Sequence, residues 1–137
     1  MVLLLRLNLL LRHNPFNFKV KWLYLHTAIF FIMIQLNIIS QSLEQAKDIT
    51  SLLHKKQLVV NEFMIKEVIG RHPNDQGELT NIEEVLIVGT TKALLFNDID
   101  QLLQEHFPED MPILYATPIV YMNSDQSDDL RNNTAKV

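Results

Sequence analysis

Residues 33–56 read MIQLNIISQSLEQAKDITSLLHKK, in which a strand pattern runs directly into a helix pattern. In the first part, polar Gln35 and Asn37 alternate with apolar neighbours, as is typical of a strand with one buried face. A polar residue, Ser40, follows this alternation. The pattern therefore predicts a first strand that begins at Met33 and ends at about Ser40.

The second part of the same stretch has a helix start signal. Ser42 followed by Gln45 has the spacing of a capping box, and apolar residues then recur every three or four positions. Lys55 and Lys56 stand where positive charge is favourable, at the negative end of the helix dipole. These signals predict a helix over residues 42–56.

Downstream, the composition predicts a hairpin. Residues 58–69 are rich in Val, Ile and Phe, and residues 83–90 form a second such run, apolar enough on both sides to be central in a sheet. Between them, residues 72–77 have turn chemistry, in which Pro73 fixes φ and Gly77 takes positive φ. The hairpin is therefore predicted to have a short turn.

A second helix and a last strand complete the pattern. Thr91 is predicted to cap a helix with an apolar stripe, and Pro108 is predicted to stop it. Residues 113–121 form a strand pattern that contains Pro118, which must lie at an edge or a bulge. The order strand, helix, strand, strand, helix, strand predicts an α+β fold, the ferredoxin-like split βαβ sandwich (βαββαβ), with two helices on one face of an antiparallel sheet.

Bulk composition excludes several classes of function. The 137 residues include 12 Lys and Arg against 16 Asp and Glu, so the net charge of -4 disfavours nucleic acid as a partner. No cysteine is present, which excludes disulfides and thiolate chemistry. The three glycines are too far apart for a phosphate-binding loop.

The two ends of the chain are predicted to lie outside the working domain. Residues 1–32 form a hydrophobic leader, interpreted as a dispensable extension or a signal anchor. The domain is predicted over residues 33–122, followed by a polar, disordered tail over residues 123–137. A cytoplasmic protein is expected; the alternative is a membrane-anchored form in which residues 22–39 enter the bilayer, with the leader as the only membrane contact.

Four stretches resemble the CutA divalent-cation-tolerance family over about residues 35–121. They are Gln45-Ala-Lys-Asp-Ile49, Lys55-Lys-Gln-Leu-Val-Val-Asn61, Glu83-Glu-Val-Leu-Ile-Val-Gly-Thr-Thr91, and the segment from His106-Phe-Pro-Glu-Asp-Met-Pro112 to Thr117-Pro-Ile119. The chain departs from the family at a strand-two cysteine, replaced by Val60, and at a lysine, replaced by Gly89.

The resemblance implies a homotrimer whose sheets join edge to edge, and a non-enzymatic role in tolerance of copper and other divalent cations. A PII-like signalling trimer, which binds a small effector and regulates a partner protein, is the alternative on the same topology. That class signals through a long mobile loop, whereas residues 72–81 predict a short one.

Five residues are candidate ligands for copper or zinc: His72, Asp75, His106, Glu109 and Asp110. Their spacing is not a metal signature, and His72 with Asp75 fits turn chemistry equally well. His106 can instead satisfy the end of a helix. Because the family has a histidine in the corresponding segment, the resemblance selects His106 and Glu109 as the predicted metal ligands.

Two pairs of neighbouring carboxylates have the composition of a catalytic dyad, Asp98 with Asp100 and Glu83 with Glu84. Residues so close in a helix or strand point apart, so solvated faces are predicted instead. No serine has the context of a nucleophile. The sequence therefore predicts no catalytic residue and no enzyme.

Overall fold

The computed structural model describes residues 32–137, and its elements follow the predicted order. The strands are β1 (Met33–Ser40), β2 (Val60–Pro73), β3 (Leu79–Lys92) and β4 (Ile113–Pro118), and the helices are α1 (Leu43–Lys55), α2 (Phe96–His106) and α3 (Ser124–Asn133), with a 3-10 turn at Ala93–Leu95. Residues 1–31 of the predicted leader lie outside this description.

The four strands form one antiparallel sheet in the order β2, β3, β1, β4. This is the predicted ferredoxin-like arrangement, which is confirmed. The apolar run Val85 to Val88 lies in β3, a central strand, as predicted, and Pro118 closes β4, an edge strand, where its missing N–H costs no internal ladder bond.

The core lies between one face of the sheet and helices α1 and α2. Alternate residues of β1 and β3 point into it, and the helices contribute their apolar stripes at spacings of three and four. The fully or nearly fully buried side chains of this core include Leu36, Ile38, Ile49, Leu53, Val85, Ile87, Ile99 and Leu103.

Both ends of α1 have defined caps. The Ser42 hydroxyl accepts a hydrogen bond from the Gln45 N–H at 3.1 Å, and the Gln45 side chain accepts one from the N–H of Gln41 at 3.0 Å. At the other end, the Gln57 N–H donates to the His54 carbonyl, with Gln57 in the left-handed region at φ 54°. The Leu58 N–H donates to the Leu53 carbonyl, which completes a Schellman motif.

The predicted cap at Thr91 is wrong. Strand β3 continues through Thr91, which pairs with Ile34 of β1, and the buried Thr91 hydroxyl donates to the Leu58 carbonyl. The chain then passes through the 3-10 turn before α2 begins at Phe96. A hydroxyl next to a helical pattern has the same sequence signature whether it caps the helix or satisfies a buried carbonyl.

The disorder predicted for the tail is also wrong, because helix α3 forms there. The Asn123 side chain caps it by accepting from the Asp125 N–H, and Leu130 is fully buried beneath it. After the helix, the Ala135 N–H donates to the Gln57 carbonyl at 2.7 Å. A single apolar anchor gives too weak a periodicity to predict a helix from sequence.

The hairpin between β2 and β3 has the predicted short turn, in which Gly77 adopts φ 81°. Strand β2 also carries two β-bulges, between Val60 and Phe63 and between Ile65 and Val68. Each bulge contains a residue at positive φ, Asn61 in the first and Glu67 in the second.

Strand β1 overlaps residues 22–39, the segment that the membrane-anchored alternative places in the bilayer. Residues 34–39 of that segment pair with both β3 and β4, and Met33 pairs with β3, so this part of the segment belongs to the sheet. Residues 22–31 lie outside the described part. Within residues 32–137, no helix is long and apolar enough to cross a membrane.

Candidate functional site

The predicted ligand His106 is the last residue of α2, and its side chain is exposed. Its Nδ1 lies 3.0 Å from the Leu102 carbonyl, so Nδ1 carries the proton and donates. This leaves Nε2 as the ring atom with a lone pair for a ligand. His106 therefore donates a hydrogen bond to a backbone carbonyl in the last turn of α2, and its Nε2 remains available to bind a metal ion.

His106 also borders a shallow cavity of about 440 Å³ between α1 and the end of α2. From α1, Asp48, Ser51 and Lys55 face this space, with Phe107 as its apolar wall. The Lys55 ammonium makes the cavity unfavourable for a cation unless Asp48 offsets its charge.

Glu109 and Asp110 follow α2 in an exposed segment. The main-chain carbonyl of Asp110 accepts a hydrogen bond from the Gln45 side chain at 2.6 Å, which ties this segment to the start of α1. In the described part of the chain, no three His, Cys, Asp or Glu side chains gather where they could hold a metal ion. The ligand role of His106 and Glu109 thus stays a prediction.

His72 has a different partner, Glu84. Its Nε2 is 3.2 Å from Oε1 and 3.3 Å from Oε2 of Glu84, across the β2–β3 ladder. Glu84 is only 9% exposed, so the predicted solvated face is wrong for this residue, because the pairing with His72 allows its burial. Asp75 lies in the exposed turn, as the turn interpretation predicts.

Gly70 provides the space for this pair. A Cβ at position 70 would lie 2.0 Å from Glu84 Oε2 and 2.5 Å from His72 Nε2. The two side chains therefore rest on the bare backbone of Gly70.

Sequence analysis missed the most unusual carboxylate, Glu62, which is the third residue of β2. Its Oε1 is buried and has no hydrogen-bond partner within residues 32–137. Burial raises the pKa of Glu62 from 4.5 to about 7. A half-buried carboxylate without a partner is uncommon outside functional sites.

Glu62 borders a cavity of about 510 Å³ formed where α1, β2 and α3 meet. We call it the Glu62 pocket, and its lining comprises His54, Gln57, Val59, Val60, Asn61, Glu62, Asp129 and Asn133. The one sequence signal that could have pointed here is Gly89, an isolated glycine in a strand pattern, which often marks a bulge or a close approach.

The two edge strands expose apolar side chains. On β2, Phe63, Ile65 and Ile69 are 57%, 44% and 57% exposed, and on β4, Ile113 and Tyr115 are 49% and 46% exposed. Edge strands also present unpaired backbone donors and acceptors. Among the described strands, β2 and β4 thus each have one edge that pairs with no other strand and that carries exposed apolar side chains.

No protein-family model matches the chain, and no curated protein matches it significantly. Solved structures do match its fold. The divalent cation tolerance protein CutA1 from Thermus thermophilus is 24% identical with a TM-score of 0.68, and the match covers 75% of this chain and 99% of that one.

Two further solved structures have a similar fold. CutA1 from Oryza sativa is 16% identical with a TM-score of 0.71, covering 80% of this chain and 99% of that one. The divalent ion tolerance protein CutA1 from Ehrlichia chaffeensis is 18% identical with a TM-score of 0.69, covering 76% and 96%. The resemblance predicted from the sequence is thus confirmed at the level of the fold.

Proposed function

We propose that this chain is a non-enzymatic, homotrimeric protein of the CutA type that serves in tolerance of, or response to, divalent cations such as copper. The observation that carries the proposal is the shared fold, which extends over 96% to 99% of the CutA1 chains compared. Two of those proteins are described as divalent cation or divalent ion tolerance proteins.

The exposed edges of the sheet support the trimer. Pairing β2 of one copy with β4 of the next would satisfy both unpaired backbone edges and cover Phe63, Ile65 and Tyr115. Such a contact joins two different surfaces, so it is heterologous and closes into a ring when the rotation between copies allows it. A ring leaves no apolar edge exposed.

His106 and Glu109 are the proposed cation ligands. An imidazole nitrogen and a carboxylate suit copper or zinc, and the lone pair on Nε2 of His106 is available because Nδ1 donates to Leu102. A zinc site in a protein takes about four ligands, so one copy supplies part of the set and water or another copy the remainder.

The alternative, a PII-like signalling trimer, has less support. The hairpin turn between Pro73 and Leu79 is closed by hydrogen bonds of Asn74 with Glu78 and Gly77. A segment this short and well bonded differs from the long mobile loop through which that class acts. Recovery of a partner protein that binds only in the presence of a small effector would favour the PII-like proposal over the CutA-type proposal.

Solution mass and calorimetry test the proposal on the full chain. We expect light scattering to give about three times the 16.0 kDa chain mass, and copper or zinc to release heat on binding. His106→Ala with Glu109→Gln should abolish that heat, whereas His54→Ala, a histidine outside this segment, should retain it. A stable monomer without metal binding would contradict the proposal.

The proposed compartment is the cytoplasm. Fractionation of the tagged full-length protein tests this, because a membrane-anchored form would sediment with the membranes. Recovery in the membrane fraction would refute the cytoplasmic assignment and leave the cation proposal in place.

A further inference from the structure

Four features of the backbone and packing converge on Glu62. The first is the bulge between Val60 and Phe63, which places Asn61 at φ 54°. Bulges often lie beside functional sites, where they re-aim a side chain. Here Glu62, the carboxylate that borders the pocket, lies within the bulge itself.

The second feature is Gly89 on the neighbouring strand. A Cβ at this position would lie 2.3 Å from Cγ1 of Val59 and 3.3 Å from Cγ of Glu62. The absence of a side chain therefore lets Val59 and Glu62 pack against β3, with Glu62 at the wall of the pocket. A larger residue would displace the carboxylate or Val59.

The third feature is the unmet hydrogen-bonding capacity of Glu62. Its buried Oε1 accepts no hydrogen bond within residues 32–137, and a buried acceptor without a donor destabilises the folded protein. A ligand with an N–H group would remove this cost. An anion would instead be repelled by Glu62 and by Asp129, which borders the same pocket.

The fourth feature is the chemistry of the remaining lining. Gln57, Asn61 and Asn133 line the pocket with amide side chains, whose oxygens are able to accept hydrogen bonds, and Val59 and Val60 contribute an apolar wall. No three metal-binding side chains gather anywhere in the described residues, so a bare metal ion lacks a ligand set here. An ammonium group with a short aliphatic body suits these surfaces better, since it donates up to about three hydrogen bonds.

We propose that the Glu62 pocket binds a small organic ammonium ion, with an N–H group donating to the Glu62 carboxylate and the aliphatic part against Val59 and Val60. The volume of about 510 Å³ lies within the range of small-molecule sites, roughly 300 to 1,000 Å³. Asp129 and Asn133 lie in α3, so the C-terminal helix forms one side of the site. This inference does not rest on cation tolerance, and it requires the pocket to stay open when the neighbouring edge of β2, which includes Phe63, is covered in the proposed trimer.

Calorimetry with n-butylammonium chloride on the full chain tests the proposal at pH 8 and constant ionic strength. We expect saturable binding by calorimetry. In NMR spectra of the same titration, we expect chemical-shift changes at the amides of Glu62 and Gly89. Tetramethylammonium, which has the same charge and no N–H, should bind at least about tenfold more weakly. Equal binding of the two ions, or no binding of butylammonium, would overturn the proposal.

Two matched carboxylate-to-amide variants localise the site. Glu62→Gln should weaken butylammonium binding by about tenfold or more, because it removes the charge and keeps the shape. Glu83→Gln, in an exposed part of β3, should bind like wild type. Unchanged binding in Glu62→Gln, or equal loss in both variants, would refute the assignment. If Glu62→Gln fails to fold, the assignment is tested on wild type alone, by comparing the affinities of butylammonium and tetramethylammonium and by the chemical-shift changes at the amides of Glu62 and Gly89.

The pH dependence provides a separate readout. Binding should weaken as the pH falls through about 7, where Glu62 takes up a proton and loses its charge. The other titratable groups bordering the pocket are His54 on α1 and Asp129 on α3. Repeating the titration with His54→Ala and with Asp129→Asn separates the three groups: a midpoint that persists in both variants belongs to Glu62, and one that vanishes in either contradicts its role.

Discussion

Two glutamates of the β2–β3 hairpin lie against a glycine, and within residues 32–137 only one of them has a side-chain partner. Glu84 rests over Gly70 and meets His72 at 3.2 Å. Glu62 lies beside Gly89, and its buried Oε1 has no partner in the part of the chain that is described.

The difference shows how one structural device can serve two purposes. In both places a glycine opens space beside a β-bulge, the bulges lying between Val60 and Phe63 and between Ile65 and Val68. Where the space holds an imidazole and a carboxylate, the burial of charge is compensated within the chain. Where it holds a carboxylate alone, the pKa of Glu62 rises to about 7 and a cavity remains.

Filling the two glycine spaces should give the largest effects, and unequal ones. Gly89→Ala places a Cβ 2.3 Å from Val59, a stiff, buried side chain, so we expect about 2 to 3 kcal/mol of lost stability. Gly70→Ala meets only the ends of the His72 and Glu84 side chains, which can move, so about 1 kcal/mol is expected. Urea unfolding measures both.

Equal losses in Gly70→Ala and Gly89→Ala would contradict the distinction between a rigid core contact and a movable ion pair. The Glu83→Gln variant, an exposed change on β3, is the control and should alter stability by less than about 0.5 kcal/mol.

Neutralising Glu62 should stabilise the protein in a pH-dependent manner. Because the folded-state pKa of about 7 exceeds the unfolded value of 4.5, the native state binds more protons between these values, and wild-type stability falls as the pH rises. Glu62→Gln removes this loss. We expect a gain of about 1 to 2 kcal/mol at pH 8, reduced for partial solvent exposure, and almost none at pH 4.

Urea unfolding of wild type and Glu62→Gln from pH 4 to pH 8 checks this. A wild-type stability that stays level, or rises, across pH 5 to 7 while the variant does the same would indicate that Glu62 is already solvated or paired.

Removing the partner of Glu84 should make it resemble Glu62. His72→Ala leaves a carboxylate that is 9% exposed without its imidazole, so about 1 kcal/mol of stability should be lost. Adding Glu84→Gln should restore part of it. A double-mutant cycle on the unfolding free energy should give a coupling of about 0.5 to 1 kcal/mol, and additive effects would mean that the pair contributes nothing.

The fold was predictable because its signals are local and agree with each other. The alternation around Gln35, the capping pair Ser42 and Gln45, and the turn at Gly77 each specify one element, and their order leaves few topologies. The predictions at Thr91 and in the tail failed because a buried carbonyl of Leu58 and a single anchor, Leu130, decide those structures. Neither is visible in a sequence pattern.

The Glu62 pocket was not predictable for a related reason. Residues 58–69 predict a long strand with one face partly wet, in which side chains alternate between the two faces and Glu62 is one of the interspersed polar residues. The bulge at Asn61 changes this alternation, and α3 contributes Asp129 from a distant part of the sequence. Bulges and contacts between distant segments leave little trace in periodicity.

The two bulges themselves should respond differently to glycine, and this is the smallest effect expected. Both Asn61 and Glu67 adopt positive φ, at 54° and 60°, but asparagine tolerates the left-handed region better than glutamate does. Glu67→Gly should therefore raise the unfolding free energy by about 0.5 to 1 kcal/mol, and Asn61→Gly should change it by less than about 0.3 kcal/mol. Thermal and urea unfolding of the two variants measure the difference. A larger gain in Asn61→Gly than in Glu67→Gly would mean that the backbone strain is concentrated beside Glu62, where the proposed ammonium site lies. The expected result, a larger gain in Glu67→Gly, would place more of the strain in the bulge next to the paired Glu84.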